Sequence, residues 1–141
     1  MDIHSKETRS YNMSHIRNKD TKPETRVRKY LFSKGFRYRK NDPRYPGHPD
    51  IVLPKYKTMI FVNGCFWHMH KDCPNASIPK TNAVFWKEKL EQNRQRDERV
   101  TSQLNDLGWK VYVIWQCEIK GSKFEPRMEA LLRQINKDMT I

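Results

Sequence analysis

The sequence lacks the features that mark membrane and secreted proteins. It has no apolar segment near its start and no apolar run long enough to cross a bilayer, so we expect a cytoplasmic protein with no membrane partner. Its three cysteines are too few, and odd in number, for a disulfide framework. Internal repeats and low-complexity tracts are also absent. With 141 residues, the chain is long enough for one domain with one buried core.

Acidic residues are scarce relative to basic ones. The chain has 28 Lys and Arg against 16 Asp and Glu, which gives a net charge of +12. Such a surplus is typical of proteins that bind nucleic acid, and an anionic membrane surface is the weaker alternative because no strongly amphipathic basic helix is apparent. Residues 1–20 are polar and basic, and we interpret them as a DNA-contacting arm or as a floppy terminus. Residues 21–141 are expected to form the single domain.

The hydrophobic pattern predicts a mixture of helices and strands. Thr21-Lys22-Pro23-Glu24 is a helix-start signal with proline in the first turn, and Gly35 is suited to end that helix. A long helix is predicted over residues 81–107 and a last helix over residues 124–138. Strands are predicted over residues 36–39, 49–53, 58–62 and 110–115, with a loop over residues 41–48.

Two polar residues interrupt the apolar stripe of the long helix. The stripe consists of Trp86, Leu90, Val100, Leu104 and Leu107. Asn93 and Asp97 fall on the same face, so the Asp97 side chain is predicted to point inward. A buried carboxylate must be paired or must bind something, because its desolvation is otherwise too costly. Asp97 is therefore either a functional residue or one half of an internal salt bridge to an arginine.

Two further acidic residues allow more than one interpretation. Asp50 stands at the mouth of an otherwise apolar strand, where it is either a simple loop cap or a group with a chemical role. Glu24 lies in the start signal of the first helix, where it is either a helix cap or a carboxylate near an active site. The residue pattern alone does not choose between these alternatives.

The stretch from residue 63 to residue 73 combines thiols, imidazoles and large aromatic rings. Cys65, His70 and Cys73 have the ligand types and close spacing of a zinc site, and Cys117 is the one other cysteine that could complete it. The sequence therefore predicts a structural zinc site, with three reduced cysteines packed as small apolar residues as the alternative. His68 is left over from this set and is free for other work.

Several strings of residues point to one known family. Gly64-Cys65-Phe66-Trp67-His68 is the most specific string, and Pro46-Gly47-His48-Pro49-Asp50 and Trp115-Gln116-Cys117 accompany it. With these strings the chain resembles the very short patch repair (Vsr) endonucleases, which nick DNA beside a T:G mismatch. The resemblance runs through almost the whole chain. It implies a restriction-endonuclease-like α/β core, in which helices flank a central mixed β-sheet, together with a zinc site.

The resemblance also implies roles for individual residues. Asp50 and the backbone carbonyl of Val62 are expected to bind a catalytic Mg²⁺, and His68 is expected to be the general base. Asp97 and Glu24 resemble the acidic residues that hold metal-bound waters. The expected zinc ligands are Cys65, His70, Cys73 and Cys117, and the expected DNA-contacting residues are Met13, Phe66, Trp67 and Trp86. Packing in a core is the alternative for the three aromatic residues.

This chain departs from the family pattern at two places. Asn63 stands where the best-described members have a histidine, so one group near the phosphate cannot exchange a proton here. Lys71 and Asp72 separate His70 from Cys73, which is one residue more than the family leads us to expect. The first departure bears on the rate of cleavage, and the second bears on the metal loop.

The expected function is therefore that of a Mg²⁺-dependent, zinc-stabilised endonuclease. It would nick the strand that carries a mispaired thymine after deamination of 5-methylcytosine. Two alternatives stay open, namely a DNA-binding protein with weakened or lost cleavage and a restriction-type nuclease of the same fold. The expected partner is double-stranded DNA with a T:G mismatch, mismatch-repair proteins are candidate partners, and we expect a monomer that acts at the bacterial nucleoid.

Overall fold

The computed structural model describes residues 21–139, with side-chain surroundings up to residue 137. The predicted arm and its Met13 lie outside the described residues. The helices are α1 (Lys22–Ser33), α2 (Ala83–Asp106) and α3 (Phe124–Met139), and the strands are β1 (Arg39–Lys40), β2 (Ile51–Leu53), β3 (Thr58–Asn63) and β4 (Lys110–Trp115). Within the described part of the chain, no helix is both long and apolar enough to cross a membrane.

The strands form one mixed sheet in the order β1-β2-β3-β4. β2 pairs antiparallel with β1 and β3, and the turn between β2 and β3 places Lys57 in the left-handed region with a φ of 52°. β3 and β4 run parallel, from Thr58 opposite Lys110 to Asn63 opposite Trp115. A parallel pair needs a long crossover, which α2 supplies. The predicted mixed sheet with flanking helices is thus confirmed.

Helices cover both faces of this sheet. On one face, buried residues of α1 and α3 pack against strand residues in the larger core cluster, which includes Leu31, Met128 and Ile60. On the other face, Leu104 of α2 packs with Val52 and Met59 in a smaller cluster. The sheet is therefore the middle layer of three, and its edges are where side chains from both outer layers can meet.

Two predicted positions are wrong for the same physical reason. The strand predicted over residues 36–39 is observed at Arg39–Lys40, because Gly35 is left-handed and the Phe36 N–H bonds to the carbonyl of Leu31. That bond holds Phe36 against the end of α1, where its side chain is buried.

The end of α2 repeats this arrangement. Gly108 is left-handed, and the Trp109 N–H bonds to the carbonyl of Leu104 at 3.0 Å. Trp109 consequently takes the buried place, while Leu107 is 58% exposed instead of continuing the stripe.

Candidate active site and metal centre

One edge of the sheet collects the ends of three strands. β3 and β4 are parallel, so Asn63 and Trp115 end their strands side by side. β2 runs in the opposite direction, so Asp50, which precedes it, lies at the same edge. The predicted catalytic residues on these strands are therefore brought together by the topology.

Asp50 and Val62 are in direct contact. The Val62 N–H donates a hydrogen bond of 2.7 Å to Oδ2 of Asp50. The N–H and the C=O of one strand residue point to the same side, so the Val62 carbonyl also faces Asp50. The second carboxylate oxygen of Asp50 and this carbonyl supply two oxygen ligands of the kind that a hard cation prefers.

Buried charge surrounds Asp50. Burial raises the pKa of the Asp50 carboxyl from an ordinary value of 3.8 to about 7, and the hydrogen bond from Val62 acts in the opposite direction. The negative charge of Glu24 adds to the rise, whereas positive charge on Arg28 and His68 opposes it. Glu24 and His68 thus lie close enough to Asp50 to change its pKa. Their grouping makes this edge a place where added positive charge is favoured.

Arg28 belongs to the same group of side chains, although it is not among the residues predicted from the sequence. Glu24 is 3% exposed and Arg28 is 4% exposed, and Nη1 of Arg28 lies 3.4 Å from Oε2 of Glu24. The signal was present, because a glutamate and an arginine four residues apart on a helix are placed to pair. The spacing does not predict that the pair is buried or that it lies next to Asp50.

His68 and Asp97 form the second part of the site. Nδ1 of His68 lies 2.6 Å from Oδ2 of Asp97, and both side chains are partly exposed. A carboxylate only accepts hydrogen bonds, so Nδ1 carries a proton, and in the neutral imidazole Nε2 is left with a lone pair. The predicted burial of Asp97 is thus incomplete, since its side chain is 34% exposed, and its partner is an imidazole and not an arginine.

A cavity of about 760 Å³ opens beside this pair. Asn63, His68 and Asp97 line it together with Trp115 at the end of β4. Asn63 is 8% exposed and ends β3 next to this cavity. The three polar residues that the sequence predicted for catalysis thus share one concave surface with room for a ligand.

The four predicted metal ligands converge on a neighbouring point. The ligand atoms of Cys65, His70, Cys73 and Cys117 all lie within 4.8 Å of one another. A tetrahedral zinc site places neighbouring sulfur and nitrogen ligands roughly 3.5 to 3.8 Å apart, so this spread fits such an ion. The extra residue between His70 and Cys73 is absorbed by a turn, in which Asp72 is left-handed and the Cys73 N–H bonds to the His70 carbonyl.

The pKa values of two of the clustered thiols are shifted in opposite directions. Burial and the neighbouring thiols raise the pKa of Cys117 to about 12. Burial also works against ionisation of Cys73, but the Asn75 N–H and the thiols of Cys65 and Cys117 lower the pKa of Cys73. A divalent cation bound to this cluster would replace the thiol protons, because the thiolate is the form that binds a metal.

Aromatic rings form a third group next to the metal cluster. Phe66, Trp67 and Trp86 contact one another edge to face, with ring centroids 5.2, 5.5 and 5.8 Å apart. None of them belongs to either core cluster, and each is partly exposed. Nδ2 of Asn93 donates to the Trp67 carbonyl at 3.3 Å, which fixes the loop to α2. The rings therefore form a surface cluster, as the sequence predicted, and not part of the core.

The sheet and its two helical layers define the class of protein. The architecture is restriction-endonuclease-like. It carries a cluster of three cysteines and one histidine that could hold a metal ion. A family model described as "DNA mismatch endonuclease Vsr" matches residues 1–75. The chain therefore belongs to the Vsr family of DNA endonucleases, which confirms the resemblance found in the sequence.

Individual relatives agree with this assignment. The type II nicking enzyme V.NmeAIP of Neisseria meningitidis serogroup A is 50% identical over 95% of this chain and 96% of its own length. The type II nicking enzyme V.XorIIP of Xanthomonas oryzae pv. oryzae is 44% identical over 93% of each chain. The DNA mismatch endonuclease Vsr of Escherichia coli is 42% identical over 85% of this chain and 76% of its own.

The raised pKa of Asp50 predicts how stability depends on pH. A carboxyl with a raised pKa in the folded state binds its proton more tightly there, so its contribution to stability is full below pH 4 and is lost as the pH rises through about 7. Relative to Asp50→Asn, the free energy of unfolding of the parent protein should fall by about 2 to 3 kcal/mol between about pH 5 and pH 8. Urea unfolding without added Mg²⁺ measures it, and parallel pH profiles for the two proteins would contradict it.

Proposed function

We propose that this chain is a Mg²⁺-dependent endonuclease that nicks one strand of DNA beside a T:G mismatch. Its role would be very short patch repair of deaminated 5-methylcytosine. The observation that carries the proposal is the shared sheet edge, where the Asp50–Val62 contact lies next to the His68–Asp97 pair. The names of the relatives, which describe a nicking enzyme and a mismatch endonuclease, support the same conclusion.

Asp50 and the Val62 carbonyl would hold the Mg²⁺. Both offer oxygen ligands, and the buried negative charge of Glu24 beside Asp50 favours a cation there. The bound ion supplies positive charge that offsets the charge building up on the phosphate oxygens during cleavage. The assignment of Glu24 and Asp97 to metal-bound waters stays a prediction, while the contact seen for Asp97 is the one to His68.

His68 would take the proton of the attacking water. Asp97 holds its Nδ1 at 2.6 Å, which orients the ring and leaves Nε2 as the acceptor. Asn63 lines the same cavity but has no proton to exchange, so the proton transfer falls to His68 alone. Asn63 is also the one observation that favours the second candidate function, a DNA-binding protein with weakened cleavage.

The ring cluster of Phe66, Trp67 and Trp86 would enter the base stack beside the mismatch. Unstacking costs a few kcal/mol per step and costs less at a mispaired step, so insertion of rings itself favours mismatched DNA. The exposure of the cluster outside both cores supports this role. Met13 in the proposed basic arm would reach the mismatch from the other groove.

The Cys/His cluster would hold a structural Zn²⁺. Its four ligands fix both ends of the loop that carries Phe66, Trp67 and His68. Loss of the ion would therefore release the ring cluster and the general base together. We further propose that the protein acts as a monomer in the cytoplasm, at the nucleoid, with mismatch-repair proteins as candidate partners.

Cleavage specificity is tested with labelled duplexes that carry T:G or T:A at one position. In the presence of Mg²⁺, the protein should nick the T:G duplex, in the strand that carries the thymine, and leave the T:A duplex intact. Asp50→Ala should abolish nicking, because the ion loses its carboxylate ligand, while binding to the duplex stays within a few-fold. Gel analysis of the nicked strand and a gel-shift titration give the two readouts.

The other outcomes of that assay identify the alternatives. Binding without cleavage by the parent protein would support the DNA-binding candidate. Equal cutting of both duplexes would support a restriction-type nuclease. Unchanged nicking by Asp50→Ala would remove Asp50 from the chemistry.

Substituting Asp97 tests the orientation of His68. In Asp97→Asn, a neutral amide replaces the charged carboxylate that accepts the hydrogen bond from Nδ1 of His68. The ring is then held less firmly, so kcat should fall roughly 10²-fold while KM changes little. Single-turnover nicking measures this fall. Glu88→Gln, at an exposed position of the same helix that does not line the cavity, is the matched control and should keep the parent rate. An equal loss in both variants would contradict the assigned role.

Removing zinc should destabilise the loop. Cys117→Ser should lower the bound zinc below one ion per chain and lower the melting temperature, because structural zinc contributes directly to folding. Elemental analysis and thermal unfolding are the measurements. Full zinc content in this variant, or no zinc in the parent protein, would show the four-ligand assignment to be wrong.

A further inference from the structure

One exposed row of side chains on α2 is rich in hydrogen-bond donors. Its members are spaced by four, three and four residues, so they follow one another along one side of the helix. All of them are exposed, two are cationic and none is acidic. We call this set the arginine row, and it consists of Gln92, Arg96, Arg99 and Gln103. Guanidinium and amide groups are donors that suit the phosphate and base oxygens of a nucleic acid.

The two arginines of the row have no carboxylate partner on their own helix. No Asp or Glu stands three or four residues before or after either of them, where a partner on a helix would lie. Asp97, which follows Arg96 directly, is bonded to His68 instead. Among residues 21–137, the structure shows no ion pair for the guanidinium of Arg96 or of Arg99. Their positive charge therefore faces solvent without a counter-charge.

A second row on the same helix has its charges balanced. Arg94 pairs with Glu91 and, at 2.6 Å, with Glu98. At 100° per residue this row lies about 140° around the helix from the arginine row, and the face that buries Leu90 and Leu104 lies between the two on the sheet side. Arg94 and Glu98 line the cavity beside β4. A polyanion is consequently attracted to one side of α2 and not to the other.

The arginine row is on the side of α2 that meets the loop before Asp50. Gly47 in that loop packs directly on α2, since a Cβ added to it would lie 2.6 Å from Cγ1 of Val100. Around the helix, Val100 is about 40° from Arg96 but about 120° from Arg94. The contact thus places the loop beside the arginine row and away from the balanced row.

The row consequently adjoins both parts of the candidate active site. Arg96 is next to Asp97, which holds His68 at 2.6 Å, and Gly47 is three residues before Asp50. The row extends over eleven residues of helix, or about 16 Å, which equals the rise of about five base pairs. A surface of this length on a convex helix is suited to an extended polyanion, because it does not enclose a small ion.

We propose that the arginine row binds duplex DNA beside the cut, with Arg96 and Arg99 each holding one backbone phosphate. The inference rests on the proposed function, because the adjoining residues are taken as the cleavage site. A phosphate contact carries no base information but fixes the position of the strand. Arg96 and Arg99 are therefore binding residues that place the duplex on the Asp50 side of α2, and the balanced row of Glu91, Arg94 and Glu98 faces away from the DNA backbone.

The salt dependence of DNA binding tests the two arginines. In Arg96→Ala/Arg99→Ala, the slope of log Kd against log salt should become shallower by about 2, one for each lost phosphate contact. Kd and KM should each rise roughly tenfold or more, with kcat within about twofold of the parent. Arg96→Lys/Arg99→Lys should keep the parent slope, because lysine also neutralises a phosphate. Both sites are exposed, so the melting temperature of each variant should stay within about 2 °C of the parent.

Lys123→Ala/Arg133→Ala is the matched control. Both side chains are exposed, and the variant loses the same two positive charges. Lys123 directly precedes α3 and Arg133 lies within it, and α3 packs on the face of the sheet opposite to α2. If this control changes the slope and KM as much as the row variant does, the effect is one of overall charge and the proposal is overturned.

Neutralising single phosphates identifies the contacts. A series of T:G duplexes would each carry one methylphosphonate, which removes one phosphate charge, at positions on both sides of the nick. At one or two positions the parent protein should lose roughly tenfold in affinity, and Arg96→Ala/Arg99→Ala should lose less than about twofold further, because the two changes remove the same contact. Additive losses at every position would overturn the proposal.

The design separates this proposal from the proposed function. If the parent protein nicks T:G DNA but the row and control variants behave alike, the arginine row fails and the function stands. If the parent binds without nicking and the coupling at one or two phosphates persists, the arginine row stands and the cleavage function fails. A parent protein that binds no duplex would overturn both.

Discussion

The parallel pairing of β3 with β4 is the constraint on which the rest of the structure depends. It sets Asn63 opposite Trp115, and two residues beyond these ends come Cys65 and Cys117. The two cysteines meet because β3 and β4 end side by side and each cysteine follows its strand by the same number of residues. A slip of one residue would move Cys117 by about 3.3 Å and reverse the faces of β4, so the metal cluster and the core support the same register.

Helices from both faces then bring charged groups to this edge. Glu24 comes from α1 on one face, and Asp97 comes from α2 on the other. Two carboxylates lie near each other here, the buried Glu24 and the partly buried Asp50, and positive charge on Arg28 and His68 opposes the rise in the pKa of Asp50. Folding brings these carboxylates together where a bound cation would offset their mutual repulsion, which is a common cost of functional sites.

Much of the fold and of the site could be predicted from the sequence because the signals are local. The span of β4 matches the apolar run that predicted it. The close spacing of Cys65, His70 and Cys73 indicated three metal ligands, and Cys117 was the one remaining cysteine that could be the fourth. The errors arose where the chain reverses direction. After the left-handed glycines Gly35 and Gly108, the N–H groups of Phe36 and Trp109 bond back to the ends of their helices. Hydrophobic periodicity does not predict such a chain reversal. Periodicity likewise placed Asp97 on the apolar stripe of α2 but could not give its partner, since His68 is 29 residues away.

The arrangement of the two helical faces also constrains how a DNA strand would lie. On the proposed function, the ring cluster of Phe66, Trp67 and Trp86 is attached to α2 through Asn93, whereas Glu24 belongs to α1. Helices α1 and α2 lie on opposite faces of the sheet, and Asp50 precedes β2 at the sheet edge. A strand with its mismatch against the rings and its backbone against Asp50 and His68 must therefore pass across this edge. The ring contact would then fix which phosphodiester meets the carboxylates, because it sets the position of the mismatch relative to the edge.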